Sequence, residues 1–326
     1  MLTFPDWKQK QIVFIQTDRE AKNRLFFRNE NLVYEKDGAI INQASCHRIV
    51  AVFIVGDFTV TSSLVKECRK RAVSLFLLGQ NFSVYSAIIA RAEGNYLLRN
   101  LQYNTSAERE FIFAKLLIKN KIQNQFRLMC SLDRDLSEDE CIKLLSSVDL
   151  AKDCEALLGL EGNFSRIFFN QYFAELDWRR RMPRVKLDVP NFLLDLGYTF
   201  LFNIVDALLS LFGFDTYKGV YHKLFFQRKS LTCDLVEPFR CIIDRQLLKS
   251  YHLKQITEKD FKFIGGRYTL SYDKSQKYSK IFMEAIMDEK ESLYIFVQQF
   301  YRAFMNGRDT FPAFNISNKK NRMICF

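Results

Sequence analysis

The chain has 326 residues, 48% of them apolar and 15% aromatic, which is ample for a core and excludes intrinsic disorder. Only 12 glycines and 5 prolines argue against a sandwich or propeller built on many tight turns and favour long helices. A net charge of +11, spread along the chain rather than held in a tail, suits a polyanionic partner gripped by a patch that folding assembles.

The length predicts two domains. Residues 11–16, 23–29, 31–36, 47–55, 73–79 and 83–89 read as strands, because they are short, rich in Val, Ile and Phe, and separated by turn residues. Thr61-Ser62-Ser63 can cap a helix over 64–72 that places Leu64, Cys68 and Ala72 on one face. After Gly94 the pattern changes to helical periods. Thr105 with Glu108 forms a capping box for a helix over 111–129, and Ser137 with Glu140 another for 141–148. Further helices are expected over 150–176, 192–212, 235–249 and 293–304. The expected fold class is therefore α+β: a small β-rich N-terminal domain over 1–95 and a larger all-α domain over 96–326.

The longest apolar run, 200–214, is interrupted by Asn203 and Asp206 and is too short to span a bilayer, so it reads as a core helix and no membrane is expected. The first residues lack the apolar stretch of a signal peptide, and the 8 cysteines show no CxxC pair, which suits reduced thiols in a cytoplasm.

Candidate chemistry gathers on four residues. Glu161 interrupts an apolar helical stripe of Leu157, Phe164 and Phe168, where an ionised carboxylate is costly unless a cation or donors compensate it. Pairing with Arg166 at the stripe edge is the plainer reading. Asp234 and Glu237 stand at i and i+3, close enough to repel unless a metal or basic partner intervenes. Pro238 should kink any helix that already runs at Asp234; alternatively, Ser230 caps a helix whose first turn holds both acids. His222, one of 3 histidines, adds an imidazole to a set of oxygens suited to Mg²⁺ or Mn²⁺. Arg166, Arg180, Arg181, Lys223, Arg228 and Arg240 interleave with these positions and are candidates for gripping phosphates.

The order of the blocks EGNFSRIFF, RRRMPRVKLDVPNFLLDLGYTFL, GFDTYKGVYH and SLTCDLVEPFRCIID resembles the CRISPR-associated integrase family, the first Cas protein of spacer acquisition. The run at 47–79 also looks like that family's β-domain. The resemblance implies that Glu161, His222 and Glu237 ligate a divalent ion, that Asp234 stands beside it, and that Arg240 is a basic position of the same helix. It further implies a homodimer joined to the small second Cas protein, acting on DNA in a prokaryotic cytoplasm. The implied reaction is a transesterification in which the 3′-hydroxyl of a short fragment attacks a phosphodiester at a CRISPR repeat border, with endonuclease activity from the same site. His222 must be neutral to ligate, so activity is expected to fall in acid. The rival readings are a stand-alone metal-dependent nuclease acting on branched or single-stranded DNA and a non-catalytic nucleic-acid scaffold.

Overall fold

The computed structural model describes residues 2–17, 21–90, 94–132 and 138–316. Two compact units divide the chain: Met1–Tyr103 with Asp206–Thr216, and Asn104–Val205 with Tyr217–Phe326.

The first unit carries α1 (Phe4–Gln9), β1 (Gln11–Gln16), β2 (Asn23–Arg28), β3 (Asn31–Lys36), β4 (Ala39–Ser45), β5 (Ile49–Val55), α2 (Ser62–Lys70), β6 (Ser74–Leu78), β7 (Val84–Ile88) and α3 (Tyr96–Tyr103). One sheet has the order β1-β5-β6-β7 and a second the order β2-β3-β4. Strand β5 is parallel to both neighbours and buried at every residue, which is why IVAVFIV runs apolar without alternation. Parallel β5 and β6 need a crossover, and α2 supplies it, its start capped by Thr61 Oγ accepting from Leu64 N at 3.1 Å. Phe14, Phe53 and Phe76 stack across adjacent strands with centroids 4.7 Å apart. Ile15, Val52 and Leu75 join Leu25, Leu32 and Leu64 in the core of the unit. Strand β4 was not expected: its exposed AIINQAS has no apolar alternation to announce it. Helix α3 lies beyond the boundary expected at 95, and Gln102 exchanges two hydrogen bonds with the backbone of Asp215.

The second unit is mainly helical: α4 (Ala107–Cys130), α5 (Glu138–Leu150), α6 (Cys154–Tyr172), α7 (Val189–Phe212, whose last turns join the first unit), α8 (Ser230–Val236), α9 (Arg240–His252), α10 (Tyr272–Asp288) and α11 (Lys290–Met305). Ser106, one residue after the expected Thr105, caps α4 by accepting from Arg109 N at 3.3 Å. The cap expected at Ser137 lies outside the described residues. Helix α7 begins earlier than the apolar run suggested and is long and apolar enough to cross a membrane, yet 83% of its most apolar window is buried as a core helix. The helix expected over 235–249 is broken: α8 ends, a 3₁₀ turn spans Glu237–Phe239, and α9 restarts after Pro238. Ser230 is the first helical residue rather than a cap, and its hydroxyl donates to Lys223 O at 3.2 Å. The unit is not all-α. A hairpin of β8 (Phe261–Ile264) and β9 (Arg267–Leu270) turns at Gly265 and Gly266, whose φ of +58° and +77° a two-residue turn of this kind requires.

Candidate active site

Helix α6 presents Glu161 between buried Leu157 and Phe164, so its carboxylate stands at the edge of the core as the stripe predicts. Its partner is not Arg166, which donates to Asn163 Oδ1 at 3.1 Å. Glu161 Oε1 instead accepts from the ammonium of Lys121 on α4 and from Ser165 Oγ, the latter at 2.9 Å. Lys121 is buried, and its Nζ also lies 2.6 Å from Glu237 Oε2. Glu237 sits on the 3₁₀ turn, where the kink aims its side chain inward. Its other oxygen takes Arg240 at 2.9 Å, and Arg240 in turn covers the Tyr198 ring.

The electrostatics follow from this geometry. Burial is the largest influence on Glu237 and would raise its pKa, but Arg240 and Lys121 outweigh it and hold the carboxyl at about 2. Burial likewise opposes the charge on Lys121, and Glu237 and Glu161 overcome it, holding the amine above its usual value. Asp244 on α9 differs. Burial dominates and lifts it to about 7, against the Tyr198 hydroxyl donating at 2.5 Å and the charges of Arg240, Arg181 and Lys121.

Asp234 is fully buried on α8 and organises the preceding loop. Its Oδ2 accepts from Val220 N at 2.7 Å and Tyr221 N at 3.0 Å, and its Oδ1 from His222 N at 2.9 Å. His222 Nδ1 stands 2.6 Å from the same Oδ1, so an Nδ1–H tautomer donates there and leaves Nε2 with its lone pair. Gly219 is required: a Cβ there would meet Asp234 Oδ2 at 2.6 Å and Ser230 Cβ at 2.9 Å. The Tyr221 ring meets the His222 ring edge-on, and its buried hydroxyl has no hydrogen-bond partner among the described residues.

The four predicted residues thus form two pairs, Glu161 with Glu237 around Lys121, and His222 on Asp234. Ligand atoms of Glu161, His222 and Glu237 do not all fall within 4.8 Å of one another. Among the described residues, the group that does is Glu30, Cys46 and His47 in the first unit. There Arg71 already binds Glu30 Oε1 at 2.9 Å, and Lys10 and Lys70 line the same hollow, a setting that repels a divalent cation. In the second unit the donor set does fit a hard divalent ion: two carboxylates already converge on one cation, and an imidazole is fixed by a buried acid.

Of the predicted basic residues, Arg166, Arg180 and Lys223 are exposed and Arg228 is half-buried. Arg181 is turned to Asp195 at 2.5 Å and Asn191 at 2.9 Å, and Arg240 to Glu237. Three residues escaped the sequence reading: Lys121, Asn120 and Asn124. Asn120 exchanges two hydrogen bonds with the backbone of Phe314, at 2.7 and 2.9 Å. Asn124 donates to Pro238 O and accepts from Ile316 N, tying the segment at 314–316 to the 3₁₀ turn that carries Glu237. The run KNKIQNQ, polar inside an otherwise buried helix, was the available signal.

A strand-rich unit followed by a helical unit holding a carboxylate–histidine site is the class that fold and site define. The chain belongs to the CRISPR-associated Cas1 family, described as CRISPR associated protein Cas1, whose model matches residues 19–284. It is 28% identical over 271 residues to the CRISPR-associated endonuclease Cas1 2 of Rhodospirillum rubrum, covering 76% of this chain and 78% of that one. It is also 30% identical over 223 residues to the CRISPR-associated endonuclease Cas1 3 of Thermus thermophilus, covering 64% and 65%. In fold it is similar to a casposase bound to its integration product (TM-score 0.80, 18% identity, 97% and 96% covered). It is likewise similar to a Cas1 protein from Thermotoga maritima (TM-score 0.76, 16% identity, 93% and 99% covered).

Proposed function

We propose that this protein is the integrase of CRISPR adaptation, joining the 3′-hydroxyl ends of short DNA fragments into the repeat array by transesterification, with endonuclease activity on DNA from the same site. The observation that carries the reading is the convergence of Glu161 and Glu237 on one cation, with an acid-fixed histidine in the same unit. Relatives named as endonucleases, and likeness in fold to a casposase on an integration product, support it.

Glu161, Glu237 and His222 Nε2 would hold Mg²⁺ or Mn²⁺, which when bound polarises the scissile phosphate and neutralises its charge. Asp234 fixes the loop at 220–222 and the imidazole tautomer, so the nitrogen lone pair is preset rather than ordered on arrival. Arg240 and Lys121 hold the Glu237 carboxyl well below the usual carboxylate range, so it stands ionised near neutral pH. Arg166, Arg180, Lys223 and Arg228 are the phosphate contacts; Arg181 braces the segment before α7 through Asp195. The first unit serves as the dimerisation domain and the second as the catalytic one. The chain works with DNA and the small second Cas protein in a prokaryotic cytoplasm; it is similar in fold to part of one chain of a Cas6-RT-Cas1–Cas2 complex (23% identity, TM-score 0.77, 96% of this chain and 36% of that one).

An oligonucleotide assay tests this. A fragment with free 3′ ends should be joined to a repeat duplex by the wild type and not by Glu161→Ala, with DNA affinity kept. Cleavage without joining would leave a stand-alone nuclease, and joining unchanged in Glu161→Ala would leave a scaffold.

A further inference from the structure

Lys121 has no task in the function just proposed, yet it occupies the most constrained place in the site. Its Nζ reaches Glu161 Oε1 and Glu237 Oε2 together and stands where the two carboxylates point. With Arg240 on the other oxygen of Glu237, two positive and two negative charges balance in a largely buried cluster. A divalent ion added to that cluster would leave two uncompensated positive charges, which buried groups do not tolerate. Space argues the same way. Metal–oxygen bonds of about 2.0–2.2 Å to both oxygens leave no room for an ammonium that contacts both.

We propose that Lys121 is a built-in cation that holds Glu161 and Glu237 together before the divalent ion arrives and is displaced when the ion binds. The inference rests on Glu161 and Glu237 being ligands. Lysine suits the role because it is a point charge on a flexible four-carbon stem and can leave without moving α4. Arg240, held across Glu237 and the Tyr198 ring, stays behind and keeps the carboxylate placed. The displaced ammonium remains within its stem's length of the site, where an incoming phosphodiester restores the balance of charge. The site's demand for free ion is therefore set partly by competition with its own lysine.

The test is Mn²⁺ binding to the full-length protein, read as loss of the free-ion electron paramagnetic resonance signal. Lys121→Met, which keeps length and removes charge, should bind Mn²⁺ at least about tenfold more tightly than the wild type, because no occupant must first be displaced. It should also melt lower without Mn²⁺ and recover more on its addition. Folded Lys121→Met that binds Mn²⁺ equally or more weakly overturns the inference. A second measurement needs no variant: amine-reactive footprinting read by mass spectrometry should find Lys121 protected without Mn²⁺ and more reactive with it, and unchanged reactivity overturns the inference too. Glu161→Gln separates this from the ligand assignment. If that variant binds Mn²⁺ like the wild type, the assignment fails, whatever Lys121 does.

Discussion

Two clusters in this molecule pair acids with bases, and they differ in solvent. In the first unit Glu30 meets Arg71 at 2.9 Å with its side chain 59% exposed; in the second Glu237 meets Arg240 at the same distance with its side chain 7% exposed. At the surface, water substitutes for either partner and the pairing fixes little. Where water is excluded, each charge must have its partner in one geometry, and the pairing dictates where backbone and side chains stand. The same contact is ornament in one place and framework in the other.

The largest effect on that contrast should come from Asp234→Ala. It orphans the amides of Val220, Tyr221 and His222 and releases the imidazole, and should cost on the order of 3–5 kcal/mol by urea denaturation. The milder Asp234→Asn should lower Mn²⁺ affinity about 10–100-fold in titration. Next comes pH. Asp244 has its pKa raised to about 7 in the fold from an ordinary 3.8, so its contribution is favourable below about 3.8 and lost as pH rises through 7. Asp244→Asn should therefore gain on the wild type between pH 4 and pH 8, on the order of 3 kcal/mol in denaturant midpoints. Glu237 runs the other way. Held at about 2 from an ordinary 4.5, it stabilises the fold above about pH 4.5 and ceases to as pH falls through 2, and Glu237→Gln should erase that acid limb. Gly219→Ala should cost about 1–3 kcal/mol and misplace His222, because the added methyl meets Asp234 and Ser230. Smallest of all, Glu30→Gln should leave the melting curve and strand joining unchanged. A clear loss there would erase the distinction between the clusters.

How much of this was legible depended on which physical signal each residue carries. Glu161 announced itself because a charge between Leu157 and Phe164 violates the helical stripe. The break at Pro238 followed from a missing N–H. Lys121 gave a weaker sign: the polar residues of KNKIQNQ stand in an otherwise buried helix but read equally as a solvated face, and it takes Glu161, Glu237 and the segment at 314–316 to make them interior. Thr105 and Ser106 offer the same capping chemistry one residue apart, and the backbone conformation at 106 decides between them. Gly265-Gly266 between apolar runs was a readable hairpin signal, masked by the helical character of everything around it.

The grip of Asn120 and Asn124 on 314–316 has a mechanical consequence. Two side-chain amides of a helix do for an extended segment what a neighbouring strand would do, so the segment is fastened as if it were in a sheet. Asn124 also holds Pro238 O, so a pull on the chain near Ile316 is transmitted through one side chain to the turn bearing Glu237. One asparagine thus pins two stretches of chain far apart in sequence, the extended segment and the turn bearing Glu237, to the same point of α4.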